Sequence, residues 1–263
     1  MPTDTSWHSR APVSFLTDVQ YRILKRIAPT EPTHMSGAAY ANKSKLTTLF
    51  GDELLELCRG KDVLDFGCGS GAEAVELAAV ANSVFGLDIV PRLLNEARAR
   101  AVATGVQDNC NFGCEPPATK VDVIVSLDSF EHFGDPAAVL ETMHDLLRPG
   151  GQVLASFGPT WYHPFGGHLF SVFPWAHLLF SEASLILWRS DIRSDGASRF
   201  SEVEGGLNQM TIAHFERLVR ASPFELLRLE AVPIRRLKPL HSQLSREFTT
   251  AIVRCILRSP LET

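Results

Sequence analysis

The stretch that decides the fold lies at residues 62–71 and reads DVLDFGCGSG. Its first half is a short apolar run, which predicts a buried strand, and its second half is a glycine cluster, which predicts a loop that approaches a ligand closely. A helix is expected next, over residues 72–81. In an open α/β sheet this order places the loop at the carboxyl edge of the strands, where such sheets bind their ligands.

Strands and helices alternate along the rest of this region. Further strands are predicted at residues 83–89, 121–127 and 151–157, with helices at 91–104 and 135–147. Amphipathic helices are expected before the glycine loop, at 13–27 and 42–58, and a helix at 211–221 with strands at 224–229 and 248–257 is expected at the end. The alternation is typical of βαβ units and predicts an α/β fold with a doubly wound, mostly parallel sheet.

The alternation stops after residue 158, and the pattern divides the chain into four parts. They are an N-terminal arm and helix (1–41), an α/β core (42–158), an inserted cap (159–208), and a C-terminal helix and strands that complete the sheet (209–263). The cap is rich in aromatic residues, and residues 149–181 contain no Asp, Glu, Lys or Arg. Such a segment packs as core, lines an apolar pocket for a small molecule, or contacts a membrane to reach a lipid-like molecule, and the sequence leaves these interpretations open.

Composition limits the classes of function. The chain has 263 residues, of which 45% are hydrophobic, and its 30 acidic and 25 basic side chains give a net charge of −5. This balance disfavours a nucleic-acid partner. No run reaches the roughly 18–20 apolar residues of a membrane span. The five cysteines are irregularly spaced, which predicts free thiols in a reducing cytoplasm.

An acidic residue follows the glycine loop at the spacing of a nucleoside-binding site. Asp88 stands 21 residues after Gly67, at the end of the second predicted strand. A carboxylate there accepts hydrogen bonds from two ribose hydroxyls, although it could also serve only to cap the helix that starts at Pro91. The pattern Gly67-x-Gly69-x-x-Ala72 satisfies the looser dinucleotide fingerprint as well. The loop alone therefore leaves NAD open beside other adenosine cofactors.

Four segments of the chain carry one combined pattern. They read VLDFGCGSG at 63–71, GLD at 86–88, SLDSFEH at 126–132 and LRPGG at 147–151. Together they resemble the class I S-adenosylmethionine-dependent methyltransferases, strongly over residues 42–158 and only in the order of elements over 209–257. The resemblance implies a Rossmann-like methyltransferase fold with seven strands, in which an N-terminal helix within 1–41 serves as a lid, the core at 42–158 binds the cofactor and the inserted cap at 159–208 contacts the substrate. It implies S-adenosylmethionine as the cofactor, with S-adenosylhomocysteine as the product. It does not identify the acceptor.

The resemblance also implies which residues hold the cofactor. Asp65 is expected near its amino group, the backbone of Gly67 and Gly69 near its methionine part, Asp88 at the ribose and Ile89 against the adenine. The remaining residues expected at the cofactor are Gly71, Cys114, Glu115, Leu127 and Asp128. Cys114 stands where the family often has Asp, so that Glu115 or a backbone group is expected to take over the adenine contact.

Candidates for chemistry on the acceptor are fewer. Methyl transfer depends mainly on alignment, and where the acceptor is a hydroxyl, a histidine or carboxylate within reach can take its proton. We expect this role for His163 or His168 in the cap, or for His132 of the Glu-His pair, with Asp128 as a further candidate. The spacing of His163, His168 and His177 fits no common zinc pattern, so no metal is expected.

The sequence therefore predicts an S-adenosylmethionine-dependent methyltransferase that acts on a small, partly apolar molecule. Oxygen is favoured as the methylated atom, with carbon and nitrogen as the next choices. Two alternatives stay open, an NAD-dependent oxidoreductase and a non-catalytic protein that binds S-adenosylmethionine. We expect a cytoplasmic protein with a small-molecule acceptor, no nucleic-acid partner and no membrane span, and the sequence leaves peripheral membrane contact and the oligomeric state open.

Overall fold

The computed structural model describes residues 14–30, 43–193, 195–203 and 205–261. Within them one sheet is formed by β1 (Asp62–Phe66), β2 (Ser83–Leu87), β3 (Cys110–Gly113), β4 (Val121–Leu127), β5 (Leu147–Phe157), β6 (Glu225–Pro233) and β7 (Thr250–Arg258). The strands lie in the order β3-β2-β1-β4-β5-β7-β6. The first five pair in parallel, and β7 is antiparallel to both of its neighbours. The prediction of a mostly parallel, seven-stranded α/β sheet is confirmed.

Helices cover the two faces of this sheet and continue into the cap. They are α1 (Phe15–Ile27), α2 (Lys45–Phe50), α3 (Asp52–Cys58), α4 (Ala72–Ala78), α5 (Pro91–Thr104), α6 (Pro136–Leu146), α7 (Ala176–Leu179), α8 (Glu182–Arg189), α9 (Ile212–Ala221) and α10 (Arg246–Thr249). In the described part of the chain none of them is long and apolar enough to cross a bilayer.

Some boundaries differ from the predictions. The helix expected over 42–58 is two helices, because Gly51 adopts a φ of +68° and so ends α2 and precedes α3. Residues 147–150, which were predicted to lie outside the strand at 151–157, begin β5, since Leu147 pairs with Val121 ahead of a register shift in β4. The last strand starts at Thr250 because α10 takes up the residues before it. Much of the predicted arm, residues 1–13 and 31–42, lies outside the described residues.

Alternate residues of the strands feed two cores. Val63 packs with α2 to α5 on one face of the sheet, and Leu64, the next residue, packs with α6 and α9 on the other. Because helices cover both faces of the sheet, a ligand is expected to bind at the end of the sheet where the carboxyl termini of the parallel strands lie.

A third core joins the N-terminal helix to the cap. Leu24 of α1 packs with Phe170 and Trp188, and all three are buried. The indole N–H of Trp188 also donates to the Ala28 carbonyl at 2.7 Å. Part of the aromatic cap is therefore core, as one of the three interpretations predicted. The role of α1 as a lid stays a prediction.

Candidate functional site

The glycine loop connects β1 to α4 at the carboxyl edge of the sheet. Gly67, Gly69 and Gly71 have φ angles of +83°, +51° and +74°, a region that glycine adopts readily. A Cβ on Gly71 would lie 2.6 Å from the Cβ of Ala97 and 2.9 Å from a ring carbon of Phe112, so packing requires this glycine. A Cβ on Gly69 would meet no described atom within 4 Å. The space beside Gly69 is therefore open to a ligand.

A cavity of about 340 Å³ lies beside this loop. Five of the predicted cofactor residues form part of its wall, namely Asp65, Gly67, Gly69, Leu127 and Asp128. The other five predicted residues, Gly71, Asp88, Ile89, Cys114 and Glu115, are not among the lining residues. The ends of β1 and β4 thus meet at one cavity, as parallel neighbours in the sheet must.

Asp65 brings a buried carboxylate to this cavity. The residue is 3% exposed, and its Oδ2 has no hydrogen-bond partner among the described residues. Burial, reinforced by the negative charge of Glu73, raises the pKa of this carboxyl to about 8. A buried oxygen of this kind suits a cationic ligand group, which would stabilise its ionised form.

Asp88 fastens the glycine loop to the end of β2. Its Oδ2 accepts from the backbone N–H of Gly69 at 2.9 Å, and its Oδ1 accepts from that of Val90 at 2.8 Å. Val90 is the residue before α5, whose first turn receives no side-chain cap, so Asp88 orders the approach to this helix without capping it. Each carboxylate oxygen retains further acceptor capacity, which ribose hydroxyls can use.

The residues expected around the adenine lie next to Asp88. Ile89 is 87% exposed, so an apolar side chain faces solvent at this edge. The backbone N–H of Asp88 donates to the Gly113 carbonyl at 3.2 Å. Cys114 follows Gly113 in the chain and therefore begins close to Asp88, and Cys114 is exposed. An adenine ring resting on Ile89 would remove its apolar surface from water.

Lys45 belongs to the site although sequence reasoning missed it. Its Nζ lies 3.3 Å from Asp128 Oδ2 and 3.7 Å from Glu73 Oε1, at the cavity wall. Burial lowers the pKa of Lys45, but the charges of Asp128 and Glu73 outweigh burial and raise it. The sequence offered only one local signal, Ser44, which caps α2 and so orients its first turn.

Two of the three predicted catalytic histidines lie together beyond β4. The backbone N–H of His132 donates to the carbonyl of Ser129, a cavity residue, at 2.9 Å. His132 Nδ1 lies 2.9 Å from the Gly206 carbonyl, and because a carbonyl only accepts, Nδ1 carries the hydrogen and Nε2 keeps its lone pair. The rings of His132 and His168 are 5.2 Å apart. His168 Nε2 is buried without a hydrogen-bond partner among the described residues, and burial lowers the pKa of this imidazole to about 4.

A third polar group joins this pair. Glu131 is 2% exposed, and its Oε1 accepts from the Gly158 backbone N–H at 3.0 Å. Its Oε2 is buried with no partner in the described part of the chain. Burial raises the pKa of this carboxyl to about 8. Glu131 belongs to the Glu-His pair of the sequence pattern, although the sequence predicted no role for it.

His163, the remaining predicted catalytic residue, lies in a turn of its own. Its Nδ1 accepts from the Phe165 backbone N–H at 2.9 Å, and burial lowers its pKa to about 4. His177 uses both ring nitrogens, with Ser171 Oγ at 3.0 Å and the Trp161 carbonyl at 2.7 Å. The structure therefore does not bring His163 or His177 into the group formed by His132 and His168.

A family model described as a methyltransferase domain matches residues 36–229. The chain belongs to the class I S-adenosylmethionine-dependent methyltransferases. The matched range includes the glycine loop, the cavity and the cap, so the family assignment applies to the site described above.

Curated relatives of this methyltransferase include ubiquinone biosynthesis O-methyltransferases. The one from Pseudomonas aeruginosa strain LESB58 is 37% identical over 102 residues, which is 37% of this chain and 44% of the relative. The one from Klebsiella pneumoniae is 38% identical over 102 residues, 37% of this chain and 42% of the relative. The chain thus matches less than half the length of these curated relatives.

Solved structures similar to this methyltransferase share its fold at low sequence identity. The cyclase SpnF superposes with a TM-score of 0.53 at 17% identity, over 81% of this chain and 82% of that chain. A SAM-dependent methyltransferase from Aquifex aeolicus gives 0.50 at 14% identity, over 82% and 92%. These similarities establish the fold alone, and a fold by itself does not determine the reaction.

The described residues fit S-adenosylmethionine, the methyl donor of this family. The unpartnered Oδ2 of Asp65 matches its ammonium group, the open space beside Gly69 admits its methionine part, and exposed Ile89 offers an apolar face to adenine. When bound, this cofactor supplies an electrophilic methyl group on a sulfonium centre. Glu73 and Asp128 at the cavity wall outnumber Lys45, and the resulting negative charge suits a cationic donor.

Proposed function

We propose that this methyltransferase transfers a methyl group from S-adenosylmethionine to an oxygen atom of a small, partly apolar molecule. The observation that carries the proposal is the buried, unpartnered Asp65 oxygen at a cavity beside the glycine loop. The choice of oxygen is supported by the curated relatives, which are named O-methyltransferases. Their acceptor is not transferred to this chain, because the match covers less than half of their length.

We assign the cofactor contacts by the chemistry of each group. Asp65 takes the ammonium, and Lys45 takes the carboxylate of the methionine part. Asp88 holds the ribose, while Ile89 and the segment after β3 that begins with Cys114 enclose the adenine. Gly71 acts indirectly, since it permits the close packing of α4 against α5 that shapes the loop.

The acceptor side follows from the position of the histidines. In the reaction the acceptor oxygen forms a bond to the methyl carbon as the carbon–sulfur bond breaks, sulfur keeps the electron pair, and water takes the hydroxyl proton. Alignment of the two reactants accounts for much of the rate. His132 lies three residues after Ser129 of the cavity wall and donates its backbone N–H to the Ser129 carbonyl, and the ring of His168 lies 5.2 Å from that of His132. We therefore assign these two histidines, and not His163, to contact with the acceptor hydroxyl.

The kind of acceptor and the location are inferred from surrounding chemistry. Residues 149–181 carry no acidic or basic side chain other than histidine, and this supports an acceptor with apolar parts. The net charge of −5 disfavours nucleic acid as the acceptor. The five free cysteines support a cytoplasmic location, where thiols stay reduced.

Calorimetry with three ligands tests the cofactor, and mass spectrometry tests the reaction. We expect S-adenosylmethionine and S-adenosylhomocysteine to bind and NAD not to bind. Incubation with deuteromethyl-labelled donor and a panel of phenols, enols, amines and carbon acids should then label an oxygen acceptor. Binding of NAD alone would refute the proposal in favour of an oxidoreductase. Binding of the adenosyl compounds without labelling of any acceptor in a cell extract would favour the non-catalytic alternative.

A further inference from the structure

We propose that Glu131, His132 and His168 bind one divalent transition-metal ion of the zinc class beside the cofactor cavity. Each residue offers one ligand atom, and the three atoms lie within 4.8 Å of one another. Atoms held about 2.0–2.2 Å from one zinc ion lie no more than roughly 4.4 Å apart. Small side-chain rotations therefore bring all three onto one ion.

Two of the three groups have a buried polar atom without a partner. Glu131 Oε2 and His168 Nε2 make no hydrogen bond to any described residue. Leaving such atoms unpaired is unfavourable, and native proteins rarely do so unless water, an ion or a function accounts for it. Glu131 and His168 do not satisfy one another, although they are close enough to share an ion. A cation between them would pair both atoms at once.

The surroundings of His132 and Glu131 are those of metal ligands. His132 donates Nδ1–H to the Gly206 carbonyl at 2.9 Å, and ligating histidines are typically oriented by such a bond from the second ring nitrogen. Glu131 is similarly held by the Gly158 backbone N–H through Oε1, which leaves Oε2 for the ion. Both ligands are therefore positioned without the metal.

The donor set indicates the class of cation. Two imidazoles and one carboxylate favour zinc, cobalt, nickel or iron over magnesium or calcium, which prefer oxygen. Three protein ligands also leave coordination positions open, as in catalytic zinc sites. The expectation of no metal rested on the spacing of His163, His168 and His177. Of these three histidines, only His168 is a ligand in the proposed site.

A role for the ion in catalysis rests on the proposed function. As ligands, His132 and His168 would hold the acceptor hydroxyl through the ion and would not themselves accept its proton. A hydroxyl in an open position would lose its proton to water near neutral pH, because a bound cation lowers the pKa of its oxygen ligands. The oxygen would then form its bond to the methyl carbon while the carbon–sulfur bond breaks. Donor and acceptor together give the methylated product, S-adenosylhomocysteine and one proton. The step therefore balances without a further reactant.

Titration of the metal-free full-length protein with Zn²⁺ tests the site. We expect one ion per chain, with Mg²⁺ binding much more weakly, and a cobalt complex whose visible spectrum shows nitrogen ligation. Glu131→Gln keeps an amide oxygen for Gly158 but loses the charge, and it should weaken Zn²⁺ binding at least tenfold, as should His168→Gln. The matched control is His144→Gln on α6, which removes a histidine that is not one of the three proposed ligands. It should leave the affinity for Zn²⁺ unchanged.

Binding of S-adenosylhomocysteine, followed in the same variants, separates this inference from the proposed function. Retained nucleoside binding with no Zn²⁺ binding by the unmodified protein would overturn the metal site alone. Equal Zn²⁺ affinity in the unmodified protein, Glu131→Gln and His168→Gln would overturn it as well. Zn²⁺ binding without any affinity for adenosyl compounds would instead overturn the proposed function. Thermal unfolding checks that each variant is folded.

Discussion

Cofactor binding at neutral pH should release a proton from Asp65. Burial raises the pKa of this carboxyl to about 8, so the ligand-free protein carries it largely protonated at pH 7. An ammonium group against Oδ2 favours the ionised form. Binding is therefore coupled to ionisation, and the substitution that isolates this coupling is Asp65→Asn, which keeps the size of the side chain and removes its titration.

The size of the effect follows from the same value. A group with a pKa of about 8 is about 90% protonated at pH 7, so complete ionisation releases about 0.9 proton per site. The folding equilibrium should show the matching dependence. The folded pKa lies above the unfolded value of 3.8, so the folded state binds more protons in this window and stability falls as pH rises from about 4 to 8. At pH 7 the loss from Asp65 is at most about 4 kcal/mol.

Calorimetry in buffers of different ionisation enthalpy measures the released proton directly. The slope of the observed enthalpy of S-adenosylhomocysteine binding against the buffer enthalpy gives the number of protons. We expect a value near one at pH 7, a decline above pH 8, and a loss of most of the release in Asp65→Asn. Asp145→Asn, whose side chain is 85% exposed on α6, should behave like the unmodified protein. No release at pH 7, or equal release in Asp65→Asn, would refute the reasoning.

Three further substitutions test the other parts of the site. Asp88→Ala should weaken S-adenosylhomocysteine binding at least tenfold, because a hydrogen bond to a charged group contributes about 1.5–3 kcal/mol, and an unchanged Kd in calorimetry would contradict the ribose assignment. Lys45→Met should weaken the same binding about tenfold. Lys43→Met removes an exposed lysine and should leave binding unchanged, so equal losses in the two variants would argue against a specific contact of Lys45. Gly71→Ala should lower the free energy of unfolding in urea by about 2–4 kcal/mol, because overlap adds to the positive φ. Gly105→Ala has a similar φ of +75° but open space and should cost only about 1 kcal/mol, so similar losses would show that packing at Gly71 is unimportant.

The parts of the fold that were predictable are those encoded by neighbouring residues. The strand, loop and helix around Gly67 follow from local periodicity and glycine placement, and the alternation of strands and helices fixes the class of sheet. The errors also have local causes. Gly51 ends a helix that the leucine pattern would continue, and Leu147 pairs into β5 although its neighbours resemble a helix end.

The candidate site divides in the same way. Asp65, Gly69 and Asp88 stand at or just after strand ends in a recognisable order, and the family resemblance that this order carries predicted their roles. Lys45 reaches the cavity from α2, and nothing in its neighbours in sequence marks it, because its importance arises from its approach to Asp128 across 83 residues of chain. Such a contact depends on the packing of α2 against the sheet, which a single sequence does not specify.

The cap explains why the cofactor was easier to infer than the acceptor. The groups assigned to the acceptor come together only when the cap folds back, since Glu131 and His168 are separated by 37 residues. His168 also holds a φ of +51°, an uncommon value for histidine, and this conformation belongs to the turn that carries its ring toward His132. On the proposed assignment, we therefore expect substitutions in the cap to change the acceptor without altering the glycine loop or Asp88. The family resemblance, which lies in the loop and the strand ends, is for the same reason informative about the methyl donor and silent about the molecule that receives the methyl group.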